Sequence, residues 1–255
     1  MQEVQKFMHQ FLRDAVDCGF GKWLARPDTG YYSDDSLRDA NKKLMRLYDF
    51  SVELGLYRTV FVFDDFDWVL KIPRLTRFSE KPNDCIMENL IYQLSERMGF
   101  DKFFAAAAEL VPFECEWGTI PVYVMKKVYV DVNRVSDHFY SLYNGDSEDD
   151  DDVEIWYNDN FDEITAVTQA FLDYYGDKEA DRLFQFLNFA KVNDLHCGNV
   201  GYDEDDNLVI IDYAGCVYED DELMAEREAN FKMLMEELEK KVGEPVLQAK
   251  TDLVW

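Results

Sequence analysis

The sequence predicts an α+β fold of two lobes. Apolar residues recur at helical spacing up to about residue 47, and β-branched and aromatic residues then dominate from residue 50 to about residue 72. Helical periodicity returns beyond Asp131, interrupted by two short strand-like segments. Helices, a small sheet with one helix, further helices, a hairpin and a last helix are an order typical of α+β proteins. We therefore expect a helical extension (1–47), a sheet lobe (48–126) and a compact helical lobe (127–255).

The N-terminal extension is predicted to form two helices. The first carries Phe7, Phe11, Leu12 and Val16 at helical spacing, and Asp35 is the predicted cap of the second. Residues 26–30, which contain Pro and Gly, form the predicted turn between them. Because these apolar stripes need covering, we expect the helices to pack on the sheet lobe beside Glu88; a docking surface for another molecule is the alternative.

The sheet lobe has strand-like composition over residues 52–62 and 68–72, and the acidic segment 64–67 reads as the turn of a hairpin. A helix is predicted over residues 84–98, because apolar side chains lie on one side of it and Gly99 ends it. Two further strands are predicted over 108–115 and 119–130. The expected product is a small antiparallel sheet with one helix.

In the helical lobe, helices are predicted over 164–175 and 178–189, and short strands over 199–202 and 208–212. The acidic run 146–154 reads as a solvated loop. A final helix is predicted over 220–242, with acids in its first turn and lysines in its last, as the helix dipole favours.

Composition excludes several classes of protein. With 47% apolar residues among 255, the chain is not expected to be disordered. A formal charge of −27 repels phosphate backbones, so we expect no direct nucleic-acid binding, and a basic protein partner suits this surface better. The first residues lack the features of a signal peptide and no apolar run is long enough for a membrane, which predicts a cytoplasmic protein. Five scattered cysteines predict reduced thiols and no zinc site.

Five polar residues stand where phosphoryl transfer needs them. Lys71 lies within a predicted strand, and Glu88 lies on the next predicted helix, where it can pair with Lys71. Asp194 and Asn199 share one loop, and Asp212 ends a predicted strand. A phosphotransferase needs one carboxylate to orient a hydroxyl, together with oxygen ligands that hold magnesium on the nucleotide phosphates.

This order resembles the protein kinase-like superfamily over residues 50–215. The strand lysine is similar to its Val-Ala-Ile-Lys element, Asp194 to Asn199 to its catalytic loop, and residues 212–215 to its Asp-Phe-Gly element. The resemblance implies a bilobal kinase-like fold with ATP and magnesium as cofactors. It implies that Asp194 is the catalytic base or hydroxyl-orienting carboxylate, that Asn199 and Asp212 bind magnesium, and that Lys71 contacts the α- and β-phosphates.

Two departures from the usual protein kinase motifs narrow the group of kinases that the chain resembles. The glycine-rich loop is reduced to residues 54–60, in which Gly55 is the single glycine and Arg58 is expected to help bind phosphate. His196 replaces the usual lysine of the catalytic loop, and we expect it to stabilise the loop by a hydrogen bond. Asp-x-His-x-x-Asn resembles aminoglycoside- and choline-type phosphotransferases and small bacteriophage protein kinases. The short remainder after Asp212 most resembles the phage-type kinases.

The leading hypothesis is therefore a Ser/Thr protein kinase that acts on a host protein if the chain is viral. One alternative is a small-molecule kinase of the aminoglycoside or choline kind. Another is a catalytically silent kinase fold that binds a host protein through its acidic surface. Transfer of AMP on the same fold also stays open.

Overall fold

The computed structural model describes residues 1–25, 35–54, 58–73, 84–135, 161–190, 192, 195–214 and 229. These residues fall into two compact units. The first lies within Met1–Tyr92 and Ala106–Lys127, and the second within Gln93–Ala105 and Val128–Tyr218. Helices combine with an antiparallel sheet, so the predicted α+β class is confirmed.

The first unit begins with three described helices, where the sequence predicts two. Helix α1 (Gln2–Ala15) runs through a kinked turn (Val16–Phe20) into α2 (Gly21–Ala25), and α3 (Asp35–Leu44) follows. Gly19 in the kinked turn has a φ of 113°, a value that favours glycine. The buried residues of α1 recur every three or four positions, as the sequence predicts, and are Val4, Met8, Phe11, Leu12 and Ala15.

Five of the described strands form one antiparallel sheet in the order β1-β2-β3-β5-β4. They are β1 (Phe50–Leu54), β2 (Arg58–Phe63), β3 (Trp68–Pro73), β4 (Ala107–Cys115) and β5 (Gly118–Lys126). The predicted hairpin is confirmed, because β2 and β3 pair across residues 64–67 with Val60 opposite Lys71. Helix α4 (Asp84–Met98) has the predicted bounds.

The two faces of the sheet have different coverings. Phe61, Leu70 and Ile72 belong to the same buried apolar core as the side chains of α1 and α3. Successive side chains of a strand point to opposite faces. Lys71, between Leu70 and Ile72, therefore lies on the other face, where it meets Glu88 of α4. The N-terminal helices do pack on the sheet, but not beside Glu88 as the sequence suggested.

The second unit contains α5 (Phe161–Tyr175), α6 (Asp177–Ala190) and a short hairpin. A 3-10 turn (Cys197–Asn199) leads into β6 (Val200–Tyr202), which pairs antiparallel with β7 (Leu208–Ile210). Single bridges join Tyr129 to Tyr202 and Phe104 to Ile210 at the two sides of this hairpin. The hairpin is thus tied to its surroundings on both edges.

Two predicted strands differ from those observed. Segment 52–62 is divided between two antiparallel strands, in which Leu54 pairs with Thr59. Strand β5 ends at Lys126, not at residue 130. The backbone N–H of Lys127 donates to Asp67 and that of Tyr129 to Tyr202, so the chain leaves the sheet there.

Three other predictions fall wholly or almost wholly outside the described residues: the turn at 26–30, the acidic loop at 146–154 and the final helix at 220–242. Within these ranges Ala229 alone is described, and it is helical. A helix long and apolar enough to cross a membrane is absent from the described part of the chain.

Candidate functional site

Lys71 is held at the centre of the sheet of the first unit. It lies on β3, and its Nζ donates to Glu88 Oε1 at 2.8 Å and to Glu88 Oε2 at 2.9 Å. The sulfur of Met125, on the neighbouring strand β5, is 3.4 Å from the same Nζ. Lys71 is 5% exposed and Glu88 is 2% exposed. The predicted pair therefore forms, and it is almost wholly removed from solvent.

Burial has a direct electrostatic effect on this lysine. Removal from water disfavours the charged ammonium and lowers the pKa of Lys71 below its usual value of 10.5. The carboxylate of Glu88 opposes that shift, and the nearby cation of Arg58 adds to it. Glu88 is thus the neighbour that most strongly favours the charged form of Lys71.

Arg58 joins the same carboxylate. Its Nη1 donates to Glu88 Oε1 at 3.0 Å, and the residue is 8% exposed. The sequence placed Arg58 among phosphate-binding residues and did not connect it with Glu88. The hairpin register contains that signal, since Val60 lies opposite Lys71 and Arg58, two residues earlier, shares the face of Val60.

His196 and Asn199 belong to the turn that precedes β6 in the second unit. The amide N–H of Gly198 donates to His196 Nδ1 at 3.1 Å, and that of Asn199 donates to the carbonyl of His196 at 2.9 Å. His196 therefore caps the 3-10 turn, which agrees with the loop-stabilising role we predicted. A β-carbon on Gly198 would lie 3.0 Å from the imidazole, so glycine lets the ring approach the backbone.

Asp212 directly follows Ile211, the residue whose backbone is bonded to Asn199. Val200 pairs with Ile210, and the N–H of Ile211 donates to the carbonyl of Asn199 at 2.8 Å. Asp212 is partly exposed and has a φ of 52°, in the left-handed region that aspartate tolerates better than most residues. The next residue, Tyr213, is fully buried and its hydroxyl donates to Ala105 at 2.7 Å. Asp212 thus sits between two anchored positions.

Asn199 and Asp212 each offer side-chain oxygens of the kind that magnesium prefers. Asn199 is 7% exposed and supplies an amide oxygen, and Asp212 supplies carboxylate oxygens. Magnesium prefers such hard oxygen ligands and takes only one or two of them from the protein in nucleotide sites. No group of three or more His, Cys, Asp or Glu side chains that could hold a metal occurs in the described ranges.

The structure places most, but not all, of the predicted site residues. Lys71, Glu88 and Arg58 meet in the first unit, and His196, Asn199 and Asp212 lie along one turn and hairpin in the second. Asp194 and Gly55 lie outside the described residues.

No protein-family model and no curated sequence matches this chain. Its function must therefore be inferred from these side chains and their geometry.

Proposed function

We propose that the chain is an ATP- and magnesium-dependent phosphotransferase with a kinase-like fold, and that it transfers phosphate to Ser or Thr hydroxyls of a protein. The observation that carries this proposal is the buried Lys71, held by both oxygens of Glu88. Holding a charged lysine inside a protein is costly. A fixed ammonium on a central strand is well suited to binding nucleotide phosphates.

Two groups of residues have different tasks in the proposed chemistry. In the first unit, Lys71 offsets negative charge on the α- and β-phosphates, and Glu88 fixes the direction of its ammonium. In the second, Asn199 and Asp212 are the residues that would hold magnesium. When bound, the metal would neutralise charge on the phosphates.

His196 and Asp194 have different tasks in this proposal. His196 holds the turn on which Asn199 lies, through its bond from the Gly198 N–H. Asp194 accepts a hydrogen bond from the acceptor hydroxyl and aligns it for in-line attack, a role taken from the sequence resemblance. Such proton-handling groups contribute on the order of 10²–10⁴ in rate.

Calorimetric titration with adenylyl imidodiphosphate, with and without magnesium, tests the phosphate–metal site. Binding should require magnesium in the wild-type protein and should be lost in Asp212→Asn. Asp205→Asn, an exposed aspartate of the same hairpin, is the matched control and should bind like wild type. Binding that is indifferent to magnesium and to Asp212 would contradict the proposed metal ligands.

Transfer itself is tested with labelled ATP. Asp194→Ala and Asp212→Ala should abolish label transfer to protein while the circular dichroism spectrum stays that of the wild type. A parallel panel of aminoglycosides and amino alcohols separates the acceptor classes, since ATP consumption with these compounds should stay at background. Consumption with one of them would instead identify a small-molecule kinase. Full activity in either variant would refute the assigned residues.

A further inference from the structure

The carboxylate of Glu88 joins three elements of the first unit. It projects from α4, accepts two hydrogen bonds from Lys71 of β3 and accepts a third from Arg58 of β2. Oxygen Oε1 accepts a hydrogen bond from each of the two cations, and Oε2 accepts one from Lys71. The three residues are each less than one-tenth exposed. The position of Lys71 is therefore connected to Arg58 through one buried group.

Two roles for Arg58 are distinguishable. It could bind phosphate directly, as the sequence suggests for a residue beside the reduced glycine loop. Alternatively, it could fix the carboxylate that fixes Lys71. The observed geometry favours the second role, since Nη1 of Arg58 is within 3.0 Å of Glu88 and the residue is buried.

We propose that Arg58 is a positioning residue, which acts on the nucleotide through Glu88 and Lys71. This inference rests on the proposed function and adds to it a residue that orients the phosphate-binding lysine. If it bound Lys71 and not Arg58, the carboxylate of Glu88 would be held from one side, and the side chains of Lys71 and Glu88 could rotate together. Arg58 adds a bond to Oε1 from a neighbouring strand, so that the ammonium is oriented before a nucleotide binds.

The test is a double-mutant cycle on nucleotide binding. Binding of adenylyl imidodiphosphate with magnesium is measured for wild type, Arg58→Met, Glu88→Gln and the double variant. We expect each single substitution to weaken binding about tenfold, equivalent to the loss of one strong charge-assisted hydrogen bond. The double variant should bind no more than about threefold more weakly than the worse single variant, because both changes disturb the same orientation of Lys71.

The same cycle is measured on urea unfolding without nucleotide, which reports on the bond between Arg58 and Glu88 independently of function. The two substitutions should be strongly non-additive there as well. Arg58→Lys, which retains a cation at this position, should restore most of the lost affinity. Arg13→Met, at an exposed arginine of α1, is the matched control and should behave as wild type.

The outcomes test the positioning role of Arg58 and the proposed phosphotransferase function separately. Losses that multiply to about a hundredfold in the double variant would show that Arg58 contacts the nucleotide on its own, and would overturn the inference. Wild-type affinity in Arg58→Met would overturn it as well. If the wild-type protein binds no analogue, the proposed function fails. In that case, additive changes in the free energy of unfolding would also show that Arg58 and Glu88 are not coupled.

Discussion

At Gly201 two backbone segments of the second unit approach each other closely. A β-carbon there would lie 2.5 Å from Val128 Cγ1 and 2.6 Å from the carbonyl oxygen of Tyr129. Tyr129 and Tyr202 exchange two backbone hydrogen bonds of 2.9 Å, so retreat of the backbone would break them. We expect Gly201→Ala to lower the free energy of unfolding by about 1–3 kcal/mol, measured by urea denaturation.

The control for this substitution is Gly176→Ala. That glycine has a φ of 79° but no atom within 4 Å of the added carbon, so it tests backbone strain without overlap. It should cost about 1 kcal/mol. Equal costs at the two positions would show that residues 128 and 129 move aside.

His196 allows the turn that carries Asn199 to be tested separately. His196→Ala removes the acceptor for the Gly198 N–H and should cost about 1 kcal/mol of stability, as the loss of a helix cap does. His196→Asn places an amide oxygen where Nδ1 stood and should cost less. Urea unfolding compares the two. If Asn is no better than Ala, the imidazole acts through contacts other than this cap.

At the scale of elements, α1 is joined to the sheet by aromatic contacts. Phe11 is fully buried and meets the rings of Phe50, Phe61 and Phe63 edge-on, with centroid distances from 4.8 to 5.5 Å. We expect Phe11→Ala to cost about 3–5 kcal/mol in chemical denaturation. Leu47→Ala, at a side chain that is 61% exposed, should change stability little. A small loss at Phe11 would mean that the sheet does not depend on α1.

The hairpin that leads to Asp212 contains an acid-sensitive contact. Arg134 donates two hydrogen bonds to Asp206, and these hold the pKa of that carboxyl below its usual value of 3.8. A carboxyl group whose pKa is lower in the folded state stabilises the fold when ionised. This contribution is complete above pH 3.8 and is lost as the pH falls below that value through the folded pKa.

Asp206→Asn should therefore be less stable than wild type at pH 7, and the difference should disappear in strong acid. Asn also tolerates the positive φ of 64° at this position, so the comparison isolates charge. Thermal unfolding across pH measures the difference, with Asp205→Asn as the control on the same turn. A difference that persists in acid would point to packing and not to ionisation.

The elements show what could be predicted from the sequence and what could not. The bounds of α4 follow from its apolar spacing and from Gly99, which takes a φ of 72° after the helix. The bond between Lys71 and Glu88 was also predictable, because both lie on strongly patterned segments. The end of β5 was not predictable, because Tyr129 leaves the sheet to pair with Tyr202, a residue far along the chain.

The candidate site residues also divide into contacts that could be predicted from the sequence and contacts that could not. The sequence singled out Asn199 and Asp212, and the structure places Asn199 directly before β6 and Asp212 two residues after β7, the strand that pairs with β6. The hairpin register puts Arg58 on the same face as Lys71, but its contact with Glu88 depends on how α4 packs against that face. Local periodicity determines the face on which a side chain lies, but the partner it meets there depends on tertiary packing.

At the scale of the whole molecule, a formal charge of −27 on 255 residues makes self-repulsion a general property. Raising NaCl from about 0.01 M to about 0.15 M shortens the Debye length from about 30 Å to about 8 Å. We therefore expect Tm to rise over this range in differential scanning calorimetry. A constant or falling Tm would show that favourable ion pairs outweigh the repulsion.

Strand β5 pairs with β3 although α4 and β4 lie between them in the chain. Trp68 and Lys126 are opposite each other in this ladder, whereas β1, β2 and β3 pair with their nearest neighbours in sequence. Closing a long loop costs chain entropy, and distant pairings slow folding. The β1–β2–β3 meander should therefore form first and leave an edge of β3 open to pairing with another chain. The yield of refolding at high protein concentration should then depend on how soon β5 occupies that edge.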